Sequence, residues 1–118
     1  MGALSRLLKR VAQSDEERHR EEVRGWADDV PETTRIQICP GRGRVKVAGV
    51  VRRIRLSPSP GEGSFSVVIH DGTGEITAFW TGRDHIPGLR LGTRVVLEGM
   101  VSDDRATRRM VNPSYEFA

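Results

Sequence analysis

The run Arg44-Val45-Lys46-Val47-Ala48-Gly49-Val50-Val51-Arg52-Arg53-Ile54-Arg55-Leu56 decides how the rest of the chain is read. Its β-branched residues favour a strand. At about 3.3 Å per residue a straight strand of this length would span roughly 43 Å, about twice the usual strand. Gly49 near its middle lets the strand curl, so that its two halves can serve both sides of a closed barrel. Val45, Val47 and Val51 share one face, and Lys46, Ala48, Val50 and Arg52 the other. Beyond them the parity slips, leaving Ile54 and Leu56 as the next inward candidates, as a bulge would.

Downstream the pattern supplies partners for that strand. Residues 57–63, with Pro58, Pro60, Gly61 and Gly63, read as a loop. Phe65, Val67 and Ile69 then alternate with Ser66, Val68 and His70, the signature of a half-buried strand. Asp71-Gly72-Thr73-Gly74 is a hairpin signal, with both glycines expected at positive φ. Ile76, Ala78 and Trp80 point inward in the third strand, and Thr77, Phe79 and Thr81 outward. Residues 82–92 are too broken for a long helix, but Ile86, Leu89 and Leu91 can plug one barrel mouth. Val95, Leu97, Gly99 and Val101 make a fourth strand, residues 102–107 turn back, and residues 108–117 form a fifth, with Pro113 at an edge or an end. The expected fold is all-β, a five-stranded Greek-key barrel.

The N-terminal part has a different grammar. Leu4, Leu7, Leu8 and Val11 recur at helical spacing with Arg6, Lys9 and Arg10 between them, predicting an amphipathic helix over residues 3–13. Ser14, three residues before Glu17, forms a capping-box pattern that would start a second helical stretch. Arg18 with Glu22 is an attractive i,i+4 pair and Glu17 with Glu21 a repulsive one, so local support is slight. Trp26 and Val30 are placed to tuck against the barrel, while Asp28, Asp29 and Pro31 end the helix and begin a linker. The chain thus divides into a helical segment with linker, residues 1–40, and a barrel domain, residues 41–118.

Composition narrows the function. With 118 residues there is room for one modest core and none for a motor or second catalytic lobe. Cys39 is the single cysteine and cannot form an internal disulfide, no signal peptide is evident, and apolar runs are far short of the ~20 residues that cross a bilayer. A cytoplasmic protein is expected, with no membrane partner. Net charge is +3, but residues 1–40 hold seven basic against eight acidic residues, whereas residues 41–118 hold twelve against eight. Seventeen of the nineteen basic residues are Arg, suited to phosphate and base contacts; a GC-rich genome accounts for the bias equally well. His19, His70, His85 and Cys39 lack metal-ligand spacing and no nucleophile has an evident base, so no enzyme, cofactor or metal is expected.

Val45-Lys46-Val47-Ala48-Gly49-Val50-Val51, Asp71-Gly72-Thr73-Gly74, Leu91-Gly92-Thr93-Arg94-Val95 and the ending Asn112-Pro113-Ser114-Tyr115-Glu116 occur in an order that resembles OB-folds of the tRNA-anticodon-binding type. The order is similar also to the wedge domain of RecG-type branched-DNA helicases and to small stand-alone OB proteins of high-GC bacteria. Helicase chemistry does not follow, because no Gly-x-x-x-x-Gly-Lys-Ser/Thr loop is present. The resemblance implies a five-stranded OB-fold with an N-terminal α-helical extension, binding single-stranded or branched DNA, or RNA, without catalysis.

In such folds the ligand crosses the outer face of the second and third strands, between the loops joining strands one to two and four to five. Mapped onto this sequence, the candidate nucleic-acid-binding residues are Lys46, Arg52, Arg53, Arg55, Ser66, His70, Thr77, Phe79, Arg105, Arg108 and Arg109. Phe79 is the candidate stacking platform, unless the N-terminal helix or a partner covers it. Asp103 and Asp104 sit in one binding loop and oppose phosphate there. The competing reading is a protein-interaction or assembly subunit that engages its partner through the N-terminal helix.

Overall fold

A computed structural model describes residues 2–57, 64–104 and 107–118. The chain runs α1 (Gly2–Asp29), a short 3-10 turn (Ile36–Ile38), β1 (Arg42–Ser57), β2 (Ser64–His70), β3 (Glu75–Thr81), β4 (Arg94–Asp104), β5 (Thr107–Val111) and β6 (Ser114–Phe117). β1 is antiparallel to β4 from Arg42 to Val50 and to β2 from Val50 to Ser57. One curled strand therefore closes the sheet, whose order β1-β2-β3-β5-β4 returns to β1 through the β1–β4 pairing. The parallel β3–β5 contact completes the five-stranded OB-fold barrel, with the helix as an N-terminal extension.

Alternation fills the interior as the strand patterns require. Val45, Val47 and Val51, Phe65, Val67 and Ile69, Ile76, Ala78 and Trp80, and Val95, Leu97 and Val101 are buried in one cluster with Met110. Each large apolar side chain placed there contributes about 1.5–3 kcal/mol relative to exposure. The parity slip is a bulge: Val51 faces Ile69 and Arg53 faces Val68, leaving Arg52 as the additional residue. Ile54 then packs against the core, but Leu56 does not. At Leu56 β1 has β2 on one side only, β4 having parted from it at Val50, so the side chain stays exposed. Ile86 and Leu89 are buried at the barrel mouth, whereas Leu91, two residues further on, points away.

Two expectations at the C-terminal end change. The fifth strand is split: β5 ends at Val111 and β6 begins at Ser114, both running antiparallel to β4. Asn112, at φ 51°, and buried Pro113 interrupt it opposite Gly99, where a Cβ would lie 3.1 Å from the Pro113 Cβ. A proline without an N–H to donate thus sits where the ladder is already broken. The second is the turn expected over residues 102–107. Residues 102–104 continue β4 and Thr107 opens β5, so Asp103 and Asp104 lie in a strand rather than in a loop. Of the expected 57–63 loop, Ser57 still belongs to β1, and residues 58–63 and 105–106 lie outside the described residues.

The hairpin turn differs in one detail. Gly72 has φ +86°, but Gly74 is not in the left-handed region. The Asp71 carboxylate instead accepts the amides of Thr73 at 2.8 Å and Gly74 at 3.1 Å, an Asx-type turn that removes the need for a second such residue.

α1 is one helix rather than two. The capping pattern at Ser14 starts nothing, because the residues before it are already helical and the surrounding Ala, Arg, Glu, Gln and Leu are good helix formers. Contact with the barrel comes late in the helix. Val23 and Ala27 are buried, and Trp26 and Val30 pack with Ala27, Ala48 and Val96 on the outer side of β1 and β4. The Arg94 guanidinium lies 5.0 Å from the Trp26 ring centroid. The helix stops at Asp29, and the Thr33 hydroxyl donates to the Val30 carbonyl at 2.8 Å just beyond it. Among the described residues no helix is long and apolar enough to cross a membrane.

Candidate nucleic-acid interface

Strand register assembles the candidate face. Arg55 stands opposite Ser66, and Ser66 opposite Phe79; one step along, Arg53 faces Val68, Val68 faces Thr77, and Thr77 faces Arg109 on β5. These residues share the outward parity of β1, β2, β3 and β5. Ser66, Val68, Thr77, Phe79 and Arg109 are half-buried, Arg53 and Arg55 exposed. The Arg109 guanidinium carbon sits 4.5 Å from the Phe79 ring centroid, a cation–π contact. An aromatic ring and a guanidinium plane together form a surface on which a flat base can stack.

The bulge concentrates charge at the edge of this face. Consecutive strand residues normally point to opposite sides, yet Arg52 and Arg53 both reach Glu75, at 2.6 Å and 3.3 Å. Glu75 thereby has two cations beside it, so its carboxylate adds little net repulsion toward phosphate. Asp103, the acid expected to oppose phosphate, lies opposite Arg108 on the parity of buried Val101, away from the β2–β3 face. The side chain of Asp104 lies outside the described residues.

The remaining candidates are placed elsewhere. Lys46 faces Glu98 on the β1–β4 side, half-buried, near the part of the barrel that α1 covers. Arg108 has inward parity at the end of the barrel opposite Ile86 and Leu89, where it donates to the carbonyls of Gln37 at 3.1 Å and Cys39 at 3.3 Å, while its Nε is buried without a partner. It ties the segment after the 3-10 turn to β5. Burial pushes the Cys39 thiol above its ordinary pKa, with the nearby Arg108 charge opposing the shift. Arg105 lies outside the described residues.

His70 marks the border between the open face and the helix. Its ring centroid is 5.7 Å from that of His19 on α1. Burial holds its pKa below the usual imidazole value, and the neighbouring His19 and Arg52 push it the same way. The α1 side of the site, including His19 and Arg20, was not apparent from local pattern, because these residues meet the hairpin only through the tertiary docking of the helix. Among the described residues no three His, Cys, Asp or Glu side chains gather into a metal-binding group.

The family described as the OB-fold nucleic acid binding domain, of the tRNA anticodon type, matches residues 45–118. A solved chain from a replication protein A heterotrimer bound to ssDNA is similar at a TM-score of 0.49 and 20% identity, over 64% of this chain. This chain spans 57% of the length of that one. No curated protein matches.

Proposed function

Because the chain belongs to the family of OB-fold nucleic acid binding domains, we propose that it binds single-stranded nucleic acid, or the unpaired part of a branched one, across the outer face of β2 and β3, without catalysis. One observation carries the reading: Phe79 faces outward, with a guanidinium over its ring, on a face bordered by Arg53 and Arg55. A base stacks on the Phe79–Arg109 pair, and phosphates on either side meet the arginines at the edge. The hydroxyls of Ser66 and Thr77 lie between and can donate to phosphate or base.

Phe79→Ala removes the stacking surface while leaving the arginines. The expected loss of affinity for an unstructured oligonucleotide is about 1–3 kcal/mol, with the slope of log affinity against log salt nearly unchanged. Fluorescence anisotropy across a salt series measures both. Equal affinity of the variant and the parent protein overturns the assignment.

A second reading has its own observation. Leu4, Leu7, Leu8 and Val11 are 53–66% exposed along one side of α1. At 100° per residue that side is turned by roughly 130° from the one carrying Val23 and Ala27, so it does not continue the packed face. It suits a protein partner, with the barrel then serving in an assembly. Deleting residues 2–13 is expected to abolish such an association, read by sedimentation, and to leave oligonucleotide affinity within about twofold, since nothing in that segment touches the β2–β3 face. An unchanged assembly state removes this second reading.

A further inference from the structure

α1 and the barrel enclose a cleft. It has a volume of about 310 Å³ and is lined by Glu16, His19 and Arg20 from the helix and by Val51, Arg52 and His70 from the barrel. Through Arg20, Arg52 and His70 it continues into a second space of about 200 Å³ that reaches the Gly72–Gly74 turn. On its helix side Glu16, His19 and Arg20 are exposed, whereas Val23 and Ala27, further along α1, are buried. The turn holds its helix wall close, since a Cβ on Gly72 would fall 2.5 Å from the Arg20 carbonyl oxygen.

The charges in this cleft are unevenly committed. Arg52 is held by Glu75. Arg20 makes no ion pair within 4.0 Å among the described residues, although Glu16 lies one helical turn before it. His19 and His70 bring ring nitrogens that can donate, and β1 at Val50 and Val51, whose side chains are buried, lies behind them. A free guanidinium, a second one beside it and two imidazoles match a phosphate group. His70 also faces Glu75, four residues from Phe79 along β3, or about 13 Å. The cleft is therefore within a few nucleotides' reach of the stacking surface.

We infer that this cleft is a phosphate-binding site, with Arg20 as its principal cation, filled by a phosphate of the strand crossing β2 and β3 or by that of a free mononucleotide. The first source rests on the function proposed above, whereas the second stands without it. Glu16 faces the bound anion unfavourably and sets a ceiling on its affinity.

Nuclear magnetic resonance titrations at constant ionic strength separate these sources. Adenosine monophosphate, inorganic phosphate and a thymidine octanucleotide are added in turn, with sodium chloride as control, while the His70 ring, the Gly72 amide and the Phe79 ring are followed. Phosphate-bearing ligands are expected to shift His70 and Gly72, and chloride is not. Arg20→Gln is expected to weaken this binding about fivefold and Glu16→Gln to tighten it about twofold, both on an intact helix checked by circular dichroism. His70 and Gly72 unmoved by every phosphate ligand, or affinities indifferent to both substitutions, overturn the cleft. An octanucleotide that shifts Phe79 but not His70 sinks the cleft and spares the proposed function. Mononucleotide binding at His70 without any oligonucleotide binding does the reverse.

Discussion

Trp80→Ala is expected to lower the stability of the domain by about 3–5 kcal/mol, whereas Phe79→Ala, one residue away, changes it little. Trp80 is 4% exposed. Its ring lies between Phe65, at 5.9 Å, and Tyr115, which it meets edge-on at 6.0 Å. Its indole N–H donates to the Pro113 carbonyl at 3.0 Å. Truncation therefore opens a large cavity and also strips a buried carbonyl of its donor at the point where β5 gives way to β6. Chemical denaturation of the two variants provides the test. A Phe79→Ala loss larger than that of Trp80→Ala would mean that the inner and outer faces of β3 are exchanged.

The second large effect belongs to a polar residue. Asp71 is 2% exposed, and its carboxylate accepts the Ile36 amide at 2.8 Å, the Thr73 amide at 2.8 Å, the Thr73 hydroxyl at 2.6 Å and the Gly74 amide at 3.1 Å. The Ile36 bond joins the β2–β3 turn to the segment that follows α1, and the other three close the turn itself. Asp71→Ala leaves the Ile36 amide buried without an acceptor, and bonds to a charged acceptor are the stronger kind, so a loss of about 3 kcal/mol is expected. Asp71→Asn keeps one acceptor oxygen but turns an amide group toward other donors, and should fall between. Denaturation gives the magnitude and amide exchange the place: protection at Ile36, Thr73 and Gly74 should drop together. Unaltered protection at Ile36 would contradict this account.

How far the sequence discloses this molecule can be judged residue by residue. Strand parity is a local property, so Val45 to Val51, Phe65 to Ile69 and Ile76 to Trp80 disclose their inner faces, and the slip after Val51 discloses the bulge. The outward position of Phe79 follows from the same alternation. What stays hidden depends on contacts between distant segments. Asp71 reads as an ordinary turn residue until Ile36, thirty-five positions earlier, is seen donating to its carboxylate. The break at Asn112 needs Gly99 on the neighbouring strand to leave room for Pro113. Leu56 and Leu91 look as apolar as Ile54 and Leu89, and only the placement of neighbouring elements separates the covered from the uncovered. The charged middle of α1 gives no local sign that His19 and Arg20 will border the hairpin.

The supernumerary residue in β1 carries one more implication. Val51 points in, Arg53 out and Ile54 in, so the apolar register on either side of Arg52 would join without a fault if that position were absent. The interior is indifferent to it. What Arg52 adds is local coiling and a doubled cation beside Glu75, both expressed on the exterior alone. At this point the barrel can tolerate losing a residue from its longest strand, and the consequence would be felt by whatever lies against its surface.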